Sequence, residues 1–405
     1  MRLLVSFAAL FLAVAFVQLG SGVLGPLDAL SGSKLGFTST QIGLLGSAHF
    51  VGFFGGCLLV PRLMGGIGHS RAFAAMAAIG VIGALAHPML EHPVAWAGLR
   101  VLGGASVAGC YTVAESWLQA KAENADRGRV SGTYRTVDMS ASVVGQLLIG
   151  VLPPATYVAY NTVAIFLCLC LLPLVLTRAT APPLPRTPKV ALGRTLRMSP
   201  LGAAGVVTVG LTNSSFRMVG PVFGERSGLT PWEIGLFLAA ALGAGALVQP
   251  VIGALADRFD RRRMLIAQSL LALGACAALT LGPETRSFAG LMAASALFGA
   301  TAFPLYSLSA AHANDRCPPD QVVELAASLM ILYGIGAIVS PLLASEVIEA
   351  FGPNAMFAYI GAAHGLLIAF GLWRLASAPS ATKRTPYRWR TRTALTLERL
   401  LKRRR

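Results

Sequence analysis

The chain has 405 residues, of which 55% are hydrophobic and only 12% charged, and its mean hydropathy is +0.66. An ordinary soluble domain of this length is far less apolar, so most of the chain must face lipid. The formal net charge of +16 then reads as a topology signal and gives no reason to expect a nucleic-acid partner.

Apolar runs of the length that a ~30 Å hydrocarbon core demands recur along the whole chain. They fall at 3–27, 40–61, 72–89, 94–119, 130–152 and 155–177, then at 200–222, 233–255, 264–281, 288–312, 322–348 and 355–375, giving twelve spans. Backbone amides in hydrocarbon must bond within their own segment, and the runs lack the alternation of barrel strands, so the spans are helices. The expected fold class is all-α and polytopic. The first run, with Arg2 before an apolar core, also has the shape of a signal peptide. Its removal would leave an odd number of spans, whereas the loop charges require an even number. With both termini cytoplasmic, all but six of the 33 Lys and Arg fall on the cytoplasmic side; Lys34, Arg226 and Arg286 fall outside, and Arg100, Arg135 and Arg217 lie within spans.

A charge in mid-membrane is costly unless paired or wet, so intramembrane polar residues are the first functional candidates. Span one carries Gln18 and span two His49, a lone histidine that serves either packing or proton transfer. Span four carries Arg100, Tyr111 and Glu115. Arg135 and Asp138 share one face of span five at i, i+3. A Glu115/Arg135/Asp138 cluster is expected, as an ion-pair network fixing spans four and five or as a proton relay. Span one offers Arg100 no acid at matching depth, only the neutral Gln18. Cys168 and Cys170 form a C-x-C, but such positions point about 200° apart on a helix, which argues for packing over metal ligation. No cofactor is expected.

Between spans six and seven lies "TRATAPPLPRTPKVALGRTLRMSP", a Pro- and Arg-rich linker without apolar period. The expected domains are a first bundle at 1–178, a linker at 179–199, a second bundle at 200–375 and a basic tail at 376–405. Equal halves suggest duplication: "LGGASVAGCYTVAESW" (102–117) lies over "LFGATAFPLYSLSAAH" (297–312), aligning Gly104 with Gly299 and Tyr111 with Tyr306. In the second half, Asn213 and Arg217 on span seven, Tyr306 on span ten and Tyr333 on span eleven could contact a solute, Arg217 being the best attractor for an anion. The tail, "ATKRTPYRWRTRTALTLERLLKRRR", is expected to touch anionic lipid.

After span eight the chain reads "GALADRFDRRRML", from Gly253 to Leu265. Gly253 allows close helix approach, Asp257 can accept from a helix N-terminus or pair with an arginine, and Arg258, Arg261, Arg262 and Arg263 hold the loop at the cytoplasmic face. A plain positive-inside loop would explain the arginines but not the acid among them. This segment resembles the signature loop of the major facilitator superfamily, approximately G-x-L-x-D-R-x-G-R-R/K. The equivalent first-half loop departs from it, with Val60 in place of the acid, so any acid-mediated gate rests on Asp257. "GHSRAF" (68–73), "AESWLQAKAENADRGRVSGTYR" (114–135) and "AFPLYSLSAAHANDR" (302–316) are similar to the YcaD-like branch of bacterial inner-membrane permeases. The resemblance implies two pseudo-symmetric six-helix bundles that rock about a solute site, and it makes Arg100, which heads "RVLGGASVAG", a residue linked to proton coupling.

The chain lacks the P-loop, H-E-x-x-H and G-x-S-x-G patterns of enzymes. Together with the resemblance, this implies a monomeric secondary transporter of a small solute, in a bacterial inner membrane, with protons as the coupling ion and efflux or uptake both open. A non-transporting scaffold or sensor is the alternative.

Overall fold

The computed structural model describes residues 2–122, 127–175, 190–281, 287–318 and 320–377. Those up to Val175 form one compact unit, and those from Val190 to Ser377 form another. The first unit contains α1 (Arg2–Lys34), α2 (Ser39–Ile67), α3 (His69–Ala86), α4 (Pro93–Lys121), α5 (Arg127–Leu148), α6 (Tyr157–Leu169) and α7 (Leu171–Val175). The second contains α8 (Leu192–Met198), α9 (Pro200–Arg226), α10 (Pro231–Arg258), α11 (Arg261–Thr280), α12 (Phe288–Ala302), α13 (Leu305–Asn314), α14 (Val322–Phe351) and α15 (Ala355–Ser377). Most of the expected linker, the tail from residue 378 onward and Arg286 lie outside the described residues.

Two expected spans are interrupted. Pro304 has no amide hydrogen and its ring crowds the preceding turn, so α12 stops at Ala302 and α13 restarts with Leu308 N–H donating to Pro304 O. Pro173 does the same to the turn before it: α6 ends at Leu169, and the Cys170 thiol donates to Leu167 O. Counting α6 with α7 and α12 with α13, and leaving out the short α8, gives twelve spans. Among the described residues, nine are apolar enough to cross a membrane by composition. The other three, α4, α5 and α9, are 29, 22 and 27 residues long and hold Arg100, Glu115, Arg135, Asp138 and Arg217.

The two units repeat one packing plan. In the first, α2 packs on α4, α1 on α5 and α3 on α6; in the second, α10 packs on α12, α9 on α14 and α11 on α15. Each pairing recurs six spans later. The glycines that the sequence repeat aligns lie at equivalent contacts: a methyl on Gly104 would sit 2.0 Å from His49 O on α2, and one on Gly299 would sit 1.9 Å from Ala241 O on α10. Only glycine permits those backbones to approach so closely. The turns into α2 and α10 also match. Gly36 and Gly228 take φ of +81° and +79°, and Thr38 with Gln41, and Thr230 with Glu233, close reciprocal capping boxes.

Hydropathy fades before helical hydrogen bonding does, so most helices overrun the expected spans. The overrun that matters most is in α1. It continues to Lys34 rather than stopping near residue 27, and so brings Asp28 inside the helix.

Candidate functional site

Asp28 is 2% exposed and is gripped from three other elements of the first unit. Its Oδ1 accepts from the Tyr160 hydroxyl at 2.9 Å. Its Oδ2 lies 3.3 Å from His87 Nε2 and 3.5 Å from Arg100 Nε. This corrects the expectation that span one has no acid for Arg100. Around them Trp96 packs edge-on against His87 and Tyr160, and its indole donates to His87 O at 3.0 Å. The geometry constrains a proton. His87 Nδ1 lies 2.6 Å from Gly83 O; a carbonyl only accepts, so Nδ1 must carry hydrogen. A bare Nε2 facing an ionised carboxylate would set lone pair against lone pair. A hydrogen on Nδ1 leaves Nε2 as the ring nitrogen 3.3 Å from the Asp28 carboxylate.

A second polar chain crosses the first unit midway along its helices. Tyr111 on α4 hydrogen-bonds Gln18 on α1 and lies 2.5 Å from Asp138 Oδ1 on α5, and Asp138 Oδ2 is 3.7 Å from Arg135 Nη1. The phenol has one proton and two oxygens to satisfy. Either the Gln18 amide turns its NH2 toward the phenol or Asp138 is itself a donor. Glu115 is buried and its Oε1 accepts from the Tyr134 hydroxyl on α5 at 3.2 Å. Gln146 donates to Gly22 O at 3.1 Å, tying α5 to α1. His49 is half-buried, edge-on to Phe50 at 5.4 Å between ring centroids, while His69 Nε2 lies 3.1 Å from Ser116 Oγ. Val60, where an acid was expected, is buried.

In the second unit the loop after α10 builds a clamp on Arg261, which is 2% exposed. The guanidinium donates to Asp257 at 3.0 Å, Asp315 at 2.6 Å, Ala311 O at 3.0 Å and Ala256 O at 3.2 Å. Asp257 thus pairs with an arginine, and Asp315, just past α13, is a ligand of the clamp that sequence reasoning missed. Asp260 caps α11 by accepting from Arg262 N–H at 2.9 Å and pairs with its guanidinium at 3.0 Å. Burial alone would raise the Asp260 carboxyl; the Arg262 donors outweigh it and hold the group below its ordinary value. Gly253 is buried, Arg258 ends α10, and Arg263 lies in the first turn of α11.

The expected solute contacts of the second unit lie on α9, α13 and α14. Tyr306 and Tyr333 pack edge-on at 5.6 Å. Asn213 on α9 is 2% exposed and its Oδ1 has no hydrogen-bond partner, while Arg217, one turn on, is half-buried. Next to Asn213, Thr212 Oγ1 lies 3.2 Å from His364 Nε2 on α15, a polar tie the sequence gave no reason to single out. Among the described residues no His, Cys, Asp and Glu cluster could hold a metal ion.

The first unit thus buries Asp28 among His87, Arg100 and Tyr160 and links Asp138 to Tyr111 and Arg135, while the second carries Asn213, Arg217, Tyr306 and Tyr333 beside its arginine clamp. Comparison with known proteins agrees with a transporter. The family model described as Major Facilitator Superfamily matches residues 10–322 and 203–405. An uncharacterized MFS-type transporter of Enterobacter sp. (strain 638) is 27% identical over 79% of this chain and 83% of its own length. The uncharacterized MFS-type transporter YcaD of Salmonella typhi is 25% identical over 90% of this chain and 94% of its own. Among solved structures, a point mutant of the nucleoside transporter NupG superposes with a TM-score of 0.75 at 12% identity, covering 91% of this chain and 99% of that one, a likeness of fold alone.

Proposed function

The chain belongs to the major facilitator superfamily, in its YcaD-like branch, and from that premise we propose that its transport of a small solute is driven by protons held between Asp28 and His87. Family membership makes it a multi-pass membrane protein and a secondary transporter, not an enzyme. We place it in a bacterial inner membrane with both termini cytoplasmic, on the loop charges.

The observation that supports the coupling reading is the sealed Asp28–His87 contact, in which the Gly83 hydrogen bond fixes the hydrogen on Nδ1 and leaves Nε2 3.3 Å from the carboxylate. Arg100 supplies a fixed positive charge 3.5 Å from the same carboxylate oxygen. Loss of the proton would leave Asp28 facing Arg100 and a bare imidazole nitrogen; its return would restore the present contacts. A group with two such states inside a helix bundle can bias alternating access. Asn213, Arg217, Tyr306 and Tyr333 remain the proposed solute contacts, with Gly253, Asp257, Arg258, Arg261, Arg262 and Arg263 as the proposed gate segment.

A second reading assigns the proton to Asp138, and the shared Tyr111 hydroxyl favours it: protonation of Asp138 would reverse the donor order through Tyr111 to Gln18. One experiment separates the two. A thermal-shift screen against metabolite and drug panels identifies a solute. Asp28→Asn and Asp138→Asn are then compared in liposomes, under a pH gradient and in counterflow at equal pH. Exchange of bound solute needs the conformational cycle but no net proton release. Loss of pH-driven flux with counterflow intact in Asp28→Asn supports the first reading; the same pattern confined to Asp138→Asn supports the second. Normal pH-driven flux in both rejects proton coupling at these groups.

A further inference from the structure

Away from every residue used above for coupling, the second unit has a small cleft lined by Pro200, Leu201, Arg262, His312, Arg316 and Arg374 and partly open to solvent. Four elements meet there: the start of α9, the start of α11, the end of α13 and the end of α15. On the loop-charge topology this is the cytoplasmic face. Three guanidiniums converge on one small cleft, and the nearby acids are already engaged, Asp260 with Arg262 and Asp315 with Arg261. Burial first, then the charges of Arg262 and Arg374, push the Arg316 guanidinium below its ordinary value. Arg316 Nη1 also lies 2.8 Å from His312 Nε2. A guanidinium has no acceptor, so the imidazole accepts, and the histidine adds no negative charge to balance the cations.

The helix start adds to this field. Ser199, the residue before α9, makes no capping bond to it, and its hydroxyl is buried without a partner. The start of α9, whose Pro200 and Leu201 line the cleft, thus has no side-chain cap and lies at the positive end of a helix dipole. An anion with several acceptor oxygens would satisfy these groups together.

The surroundings say what kind of anion. Leu372 and Trp373 on α15 are exposed, at 52% and 59%, beside the cleft. Arg374 stacks its guanidinium 5.7 Å from the Trp373 ring centroid. An exposed tryptophan with an arginine at a helix end is the pattern of the membrane–water interface. The cleft therefore opens at headgroup level, next to a surface built for acyl chains.

We propose that the cleft formed by Arg262, Arg316 and Arg374 binds the phosphodiester headgroup of an anionic phospholipid. Arginine suits this chemistry because its planar fork pairs with two phosphate oxygens at once. The basic tail is unchanged in every comparison below.

The test uses the full chain purified in a neutral detergent. Native mass spectrometry measures binding of phosphatidylglycerol to the wild type, Arg316→Gln, Arg374→Gln, the double variant and Arg374→Lys. Inorganic phosphate and phosphatidylcholine serve as competitor and zwitterionic control. Each lost arginine should weaken phosphatidylglycerol binding about fivefold, from ~1 kcal/mol per basic residue near the surface. Arg374→Lys, which keeps the charge but loses the bidentate fork, should fall between wild type and Arg374→Gln, and Arg226→Gln, outside the cleft, should match wild type. Arg374 is half-exposed, so its variants are expected to fold even if Arg316→Gln does not. Undiminished phosphatidylglycerol binding in Arg374→Gln and the double variant would overturn the site. Full displacement by millimolar inorganic phosphate, or equal binding of phosphatidylcholine, would overturn the lipid assignment.

Discussion

Asp28→Asn removes one charge from a site where water cannot replace it. Asp28 and Arg100 are each 2% exposed and His87 is fully buried. Removing one partner of a buried ion pair destabilises by about 3–5 kcal/mol, because the remaining charge is left uncompensated. Asparagine keeps an oxygen for the Tyr160 hydroxyl, and one retained hydrogen bond returns about 1 kcal/mol. The net expectation is a loss of about 2–4 kcal/mol. Thermal unfolding in detergent measures it, followed by tryptophan fluorescence, to which Trp96 contributes through its contacts with His87 and Tyr160. The decisive comparison is with Asp28→Asn/Arg100→Met, which removes both charges and keeps most of the volume. The double variant should melt above the single one. If Asp28→Asn melts like wild type, or if the second substitution only adds to the damage, the charge pairing does not hold this end of the bundle together.

Further expectations follow from the close contacts and caps. Gly104→Ala and Gly299→Ala would each force a methyl within about 2 Å of a carbonyl oxygen, so each should destabilise by about 1–3 kcal/mol or more; a normal melting temperature for either would contradict the close helix approach. Asp260→Ala should cost about 1 kcal/mol through the lost α11 cap. Because the folded Asp260 lies below its ordinary value of 3.8, its contribution is present above that pH and fades as pH falls through the lower folded value. A pH titration of melting should therefore show wild type and Asp260→Ala converging in acid, and a gap that widens there would refute the assignment. Arg261→Gln would leave Asp257 and Asp315 facing each other without their shared cation, and should lower the yield of folded protein far more than Arg258→Gln does, as size-exclusion profiles would show.

The twelve spans were legible because lipid demands length and apolarity, and those can be counted. The repeat was legible at Gly104 and Gly299, whose equivalence is a matter of backbone clearance. It was equally present, and overlooked, in "GFTSTQIG" and "GLTPWEIG", where each glycine takes a positive φ before a threonine cap. Asp28 was missed because apolarity ends near residue 27 while the helix does not. Its burial depends on His87, Arg100 and Tyr160, which arrive from distant helices and leave no local pattern. Asp315 was missed for a related reason: it lies beyond its span, where an acid reads as ordinary loop. The kink at Pro304 was readable from the proline itself. Arg135 and Asp138 could be placed on one face by spacing, but the Tyr111 and Gln18 that complete their chain come from other helices.

The central claim, that solute movement is coupled to a proton held by Asp28 and His87, is tested most directly in liposomes loaded with a pH-sensitive dye. Once the screen supplies a solute, its addition to wild-type liposomes without an imposed gradient should change the internal pH as solute moves. Asp28→Asn should exchange solute in counterflow and yet produce no pH change. Solute flux without a proton signal in wild type, or an undiminished proton signal in Asp28→Asn, would contradict the account.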